Sequence, residues 1–445
     1  MNHNGTGDAQ RRGPAPKTPM NLFFLSLRDL FHGLGSAFSL LGQFWFLVLT
    51  PILYEVFLTV WLDHVQGRYA SGVKYILLEL IPPREVEKSP KLMESVFSGL
   101  AGIHKNYNTY EVYAEGMFVP PLSLEIVSDS GAAHLYIRTA AVFRNLVEAN
   151  FFAHYPDMEI VEVPDYVKNA PATIPNDKYE LWGSDFELNK PDLYPIKTYK
   201  SFEEEVTGKM IDPLGALLEV MGKLPPGQTM WLQFIIAPEK DSWWKDKGKG
   251  TIELFLGKAK KESGGILADI LDILRNLLKA FTSTPEFEKK KEDKNDQPLE
   301  FRLSPGEKDV LKALESNLGK QMFRVKMRMV YFGLREGFTK TFVSMFLGAM
   351  RQFSDNNLNG FRPEGVSKTQ ADFLFVTERL RFLQRRIYRR YISRDRTPSS
   401  KQFNLSVEEL ATVFHPPDLS VMAPSLTRVS AKRGTAPSNL PVLED

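Results

Sequence analysis

The sequence predicts an α+β protein: an N-terminal transmembrane helix followed by two ferredoxin-like (split βαβ) modules with extra C-terminal helices. Three observations carry that prediction. Gly33 to Tyr54 contains no charged side chain. From Lys74 the pattern changes to short alternating segments in the order β-α-β-β-α-β, the split βαβ arrangement. After residue 171 a second unit repeats the plan with insertions.

The apolar run continues past Glu55 as Val56–Leu62, so the roughly 20 residues needed to cross a bilayer fit inside Gly33–Leu62. A helix satisfies its own backbone in lipid. Phe44, Trp45, Pro51, Tyr54 and Trp61 mark the expected span. Trp45 and Trp61 stand toward opposite ends as interfacial anchors, and Pro51 is a tolerated kink. Glu55 sits at the interface or faces a partner helix. Asn21–Leu30 reads as an amphipathic helix on the membrane surface, with a second span as the alternative. Residues 1–20 form a polar tail expected to be disordered, and 21–64 form the membrane-associated segment.

The first module is expected over 74–170. Tyr75–Leu80 is its first strand, stopped by Pro82-Pro83, and Ser89-Pro90 opens a helix to Ile103. Leu122–Ser128 and Ala133–Thr139 form a hairpin around Asp129-Ser130-Gly131. A helix from Ala140 to His154 and a strand at Met158–Val163 complete it. The second module is expected over 171–335. Its strands are placed at Ile196–Tyr199, Thr229–Ala237, Thr251–Leu256 and Met322–Phe332. Its helices are Leu214–Leu224 and one opened by the capping box Ser304-Pro305-Gly306-Glu307. An amphipathic helix at Gly265–Phe281 runs into a charged stretch at 282–298, expected to be a disordered insertion. Residues 336–400 read as helical, with helices at Arg335–Ser354 and Ala371–Ile392, and 401–445 as an extended tail.

Composition narrows the function. The 445 residues carry a net charge of +2, so no global field points to nucleic acid. The chain has no cysteine, which removes disulfides, thiol catalysis and cysteine-ligated metal sites. No phosphate-binding loop or Gly-x-Ser-x-Gly elbow occurs, and the seven histidines form no zinc-type pair. No enzyme and no cofactor is therefore expected. Asp157, Glu159, Glu162 and Asp165 lack the glycine-turned spacing of a calcium loop. Basic residues flank the apolar run on both sides and do not orient it. A chain without disulfides fits a single-pass protein of the cytoplasmic membrane with its bulk in the cytoplasm.

The informative local signal is basic. In Met322–Phe332 the cations Arg324, Lys326 and Arg328 alternate with Phe323, Val325, Met327 and Met329, which puts the cations together on one face of a strand. Such a face binds nucleic acid or is simply solvated. On the helix Ala371–Ile392, six arginines (Arg379, Arg381, Arg385, Arg386, Arg389 and Arg390) surround an apolar stripe. They suit nucleic-acid phosphates, anionic headgroups or an acidic partner.

The tail carries a resemblance. Leu405-Ser406-Val407-Glu408-Glu409-Leu410-Ala411-Thr412-Val413-Phe414-His415-Pro416-Pro417, with Lys432-Arg433-Gly434 and Asn439-Leu440-Pro441, resembles the junction that leads into the motor of type IV secretion-like and conjugative ATPases. Pro82-Pro83-Arg84-Glu85, Tyr155-Pro156-Asp157 and Lys190-Pro191-Asp192 are similar to an uncharacterised family of bacterial membrane proteins that precede, or are fused to, such ATPases. Only Val442–Asp445 follow Leu440-Pro441, so the motor is expected on another chain. The resemblance implies a non-enzymatic membrane-anchored adaptor that docks this ATPase, with Glu409, Phe414, His415, Pro416, Arg433 and Gly434 at the junction. The alternative is a membrane-tethered nucleic-acid-binding protein using 379–390. Candidate partners are the lipid bilayer, the translocation ATPase, nucleic acid and a second copy of the chain.

Overall fold

A computed structural model describes residues 45–83, 89–202, 211–240, 304–396 and 401–417, with 245, 248–250 and 252. The chain divides into two compact units, Met1–Tyr69 with Tyr107–Met117, and Ala70–Asn106 with Phe118–Asp445.

The first unit is built on α1 (Trp45–Gly72), which contains Pro51. The expected transmembrane helix is overturned: among the described residues no helix is long and apolar enough to cross a membrane. The physical reason lies in where α1 runs. It does not stop at Leu62 but continues through the polar stretch Asp63-His64-Val65-Gln66-Gly67-Arg68. Trp61, expected as an interfacial anchor, donates its indole N–H to the Tyr113 carbonyl at 2.7 Å. Ile52, Tyr54 and Phe57 are exposed. Residues 33–44, Phe44 among them, lie outside the described residues, as do 1–30 with their expected surface helix. A short second helix (Thr109–Tyr113) is opened by a capping box between Asn108 and Glu111. Gly116 follows at φ +70°, where a Cβ would meet the Val65 carbonyl.

The second unit is organised by one nine-stranded sheet. In chain order its strands are β1 (Tyr75–Ile81), β2 (Leu122–Asp129), β3 (Ala132–Ala140), β4 (Glu159–Val163), β5 (Tyr179–Leu188), β6 (Gln228–Pro238), β7 (Met322–Leu334), β8 (Phe361–Pro363) and β9 (Phe403–Ser406). They lie in the order β4-β1-β3-β2-β6-β7-β5-β8, with β9 beside the start of β7. The first half runs β-α-β-β-α-β; the second follows the same strand order with a helix (Pro305–Leu318) inserted between β6 and β7, and the β2–β6 ladder joins the two halves into one continuous sheet. The β2–β3 turn uses Ser130 at φ 51° and Gly131 at φ 87°, the pair of left-handed residues a two-residue hairpin loop requires.

The first strand of the second half is β5, and Ile196–Tyr199 forms no strand. The sequence conceals β5 because Gly183, Ser184 and Asp185, residue types depleted in strands, fill its centre. Each is needed there: a Cβ on Gly183 would press on Ile387 at 3.1 Å, and Asp185 receives cations from β7. The strand expected at Thr251–Leu256 is described only at Ile252, which is helical. The helix at 265–281 and the insertion at 282–298 lie outside the described residues.

Two faces result from strict alternation. Leu78, Leu124, Ile137, Phe186, Phe234, Phe323 and Met327 point to one face. They pack under α2 (Lys91–Leu100), α4 (Arg144–His154), α5 (Gly215–Gly222), α7 (Thr341–Met350) and α9 (Val407–Val413), numbering the Thr109–Tyr113 helix α3 and Pro305–Leu318 α6. The opposite face is covered by α8 (Val376–Ser393), which packs Ile387, Tyr388 and Tyr391 on Trp231, Val330 and Phe332.

Candidate functional site

The cations of β7 do not form an open surface. Lys326 and Arg328 are each 1% exposed, and α8 lies over them. Only Arg324, beyond the helix, remains exposed, and it pairs with Glu239 at 2.5 Å. The correction has a physical cause in the end of α8. Arg328 donates Nη1–H to the Arg390 carbonyl at 2.6 Å, so it supplies the cation that a helix C-terminus favours. Its Nε pairs with Asp185 at 2.6 Å. Lys326 Nζ stands 3.5 Å from the same carboxylate, an ion pair without hydrogen-bond geometry, and burial lowers the pKa of its ammonium. Arg390 adds a third cation at 3.8 Å.

A second cluster locks the residues just after α8. Arg394, in the left-handed region at φ 51°, pairs with Glu125 at 2.8 Å and with Asp165 at 2.7 Å. Tyr166 donates to Glu125 at 2.8 Å, and Ser123 does so at 2.6 Å. Burial pushes the Glu125 carboxyl up, but Arg394 with these hydroxyls holds it below its ordinary value. Burial and the neighbouring Glu125 carboxylate raise the pKa of the Tyr166 and Tyr391 phenols far above the ordinary range. Charges read as a binding face thus fasten α8 to the sheet.

The six arginines of α8 divide. Arg390 is engaged as described, and Arg386 is half-buried, donating to the Val366 carbonyl at 2.6 Å. Arg379, Arg381, Arg385 and Arg389 are exposed. Beside them the chain exposes Phe373, Leu374, Phe375, Val376 and Phe382. Sequence reasoning singled out the arginines and passed over these apolar neighbours, although Phe373-Leu374-Phe375-Val376 is legible as an uninterrupted apolar run.

The junction residues 405–417 are not an extended tail. Phe403–Ser406 joins β7, and Val407–Val413 forms α9 under a capping box in which Ser406 accepts from the Glu409 N–H. Glu409 is buried, accepting from Ile196 N–H at 2.9 Å and Ser406 N–H at 2.8 Å. Burial pushes its carboxyl up to about 7. Glu408 faces Lys200 and Lys320, both at 2.5 Å. Phe414 is core, Pro416 is buried, and His415 stands 3.1 Å from Asp212. Arg433 and Gly434 lie outside the described residues.

Among the described residues no group of three His, Asp or Glu side chains is placed to hold a metal ion. Of the four acids weighed as a cation site, Asp165 pairs with Arg394 and Glu162 with Arg144. A cleft of about 520 Å³ lies beside β8, between Phe186, Met350, Arg351 and Arg362.

These features define an α+β protein whose single antiparallel sheet is clad by helices on one face and clamped by ion pairs to one long helix on the other. Residues 77–428 match the family model described as Domain of unknown function (DUF8128), and the chain belongs to that family. No curated protein matches it.

Proposed function

We propose that this protein is a non-enzymatic, membrane-associated adaptor that positions the ATPase of a type IV secretion-like or conjugative translocation apparatus. The observation that carries the reading is the placement of Leu405–Pro417. The segment that resembles the lead-in to such a motor is fastened into the body through β9, the buried Glu409 cap and the His415–Asp212 contact. A lead-in held this rigidly fixes the direction in which a motor is presented. Exposed apolar side chains on α1 support the membrane association, because contiguous exposed apolar surface marks an interaction site.

The test is isolation of the tagged full chain from the membrane fraction, with bound proteins identified by mass spectrometry. Recovery of an ATPase bearing a phosphate-binding loop of the translocation class is the expected result. Recovery of the chain in the membrane fraction with no such ATPase overturns the adaptor role.

A further inference from the structure

The exposed end of α8 and the loop before it remain unused by the adaptor reading. Four consecutive apolar residues, Phe373-Leu374-Phe375-Val376, stand in solvent, with Phe373 at 72% and Phe375 at 74% exposure. Leu374 and Phe375 adopt left-handed backbone conformations at φ 40° and 49°. Such conformations are costly for bulky side chains and concentrate at functional positions. Here the turn leads outward, and Arg379 steadies it by donating to the Phe373 carbonyl at 2.6 Å.

The apolar tip continues onto the helix. Phe382, 62% exposed, lies three or four residues from Arg379, Arg385 and Arg386, so these side chains share a stripe. Arg386 places its guanidinium 5.5 Å from the Phe382 ring and ties the exposed Val366 to the same surface. Arg381 and Arg389 extend the positive rim. The acids between 366 and 390 are Asp372, which Gln370 contacts, and Glu378.

We infer that the Phe373–Val376 tip and the exposed arginines of α8 form a site for an anionic phospholipid surface. The apolar residues enter the headgroup and acyl boundary, while Arg379, Arg381, Arg385 and Arg389 lie among anionic headgroups. An apolar wedge rimmed by arginine is the complement of a negatively charged bilayer interface. Single-stranded nucleic acid fits less well: Phe373, Phe375 and Phe382 offer rings on which a base could stack, but Leu374, Val376 and Val366, exposed among them, offer none and suit acyl chains. The inference rests on and deepens the proposed membrane association, but it is carried by other residues than those of α1.

The experiment is flotation of the full chain with vesicles of phosphatidylcholine alone and of phosphatidylcholine mixed with phosphatidylglycerol. The expected result is binding stronger to the anionic vesicles and weakened by salt. Each arginine removed from the set R379Q, R381Q, R385Q, R389Q costs about fivefold of that preference. The variant F373S/F375S/F382S loses at least tenfold of anionic-vesicle binding, with its thermal unfolding unchanged. Equal binding to both vesicle types, or binding indifferent to both sets of variants, overturns the site while leaving attachment through α1 intact. So does a single-stranded oligonucleotide whose binding, unlike that of vesicles, is lost in the arginine variants. Failure to recover an ATPase bears on the adaptor role alone.

Discussion

The two ends of α8 carry the same arginine-rich composition and do opposite things. Around its C-terminus Arg390 and Arg394 are drawn against Asp185, Glu125 and Asp165, and Arg328 reaches up from the sheet to the last carbonyls. Toward its N-terminus Arg379, Arg381 and Arg385 stand in water beside exposed phenylalanines. What separates them is the sheet beneath: the C-terminal end lies over strands that present buried carboxylates. An arginine repeat therefore has no role of its own until its counter-charges are located.

The strongest way to break the contrast is Arg394→Ala. It leaves Glu125 ionised and buried without its cation, and removal of one partner of a buried pair costs roughly 3–5 kcal/mol. Urea unfolding of the variant is expected to show a loss of that size. A loss below about 1 kcal/mol would mean that the C-terminal end of α8 is not fastened by charge.

Glu409 sharpens the comparison from the opposite face, because its buried carboxyl leans on backbone N–H groups with no paired arginine. Its pKa is pushed up to about 7 from an ordinary 4.5. Between those values the folded state binds the proton more tightly than the unfolded chain, so stability falls as pH rises from about 4.5 to 7. Glu409→Gln is expected to flatten that part of the stability profile. A slope unchanged in the variant would assign it to another group. Glu125, held below its ordinary value, places its own loss on the acidic side.

Smaller effects separate the members of the β7 cluster. Lys326 makes no hydrogen bond, and Asp185 keeps Arg328 when Lys326 is replaced. Lys326→Met is therefore expected to change unfolding free energy by less than about 1 kcal/mol, since a buried ion pair is often matched by a packed apolar side chain. Arg328→Met, which also abandons the carbonyl end of α8, is expected to cost roughly 3 kcal/mol or more. At the other end, Arg385→Gln and Arg389→Gln lie within about 0.5 kcal/mol of the parent, as exposed substitutions do. Calorimetric unfolding of the four variants orders them.

Much of the fold was legible because its signals are local. The capping box at Ser304–Glu307, the hairpin at Ser130-Gly131 and the alternation in β7 rest on contacts within a few residues. The misplaced strand, the open cationic face and the extended reading of residues 403–413 were errors of another kind. Asp185 is a residue type depleted in strands, and Lys326 and Arg328 were read as facing solvent, yet all three are buried for one reason: they neutralise each other. Likewise the membrane span was read from apolar content, and the polar continuation of α1 with its Trp61–Tyr113 hydrogen bond corrects it.

By itself the sequence determined which side chains share a face, since a strand alternates with period two and a helix returns every three or four residues. What lies over each face was decided only by tertiary structure. The carboxylate that meets Arg328 is 143 residues away, and the one that meets Arg394 is 269 residues away. Charge pairing across such separations depends on how the sheet is assembled, and local pattern carries no record of it.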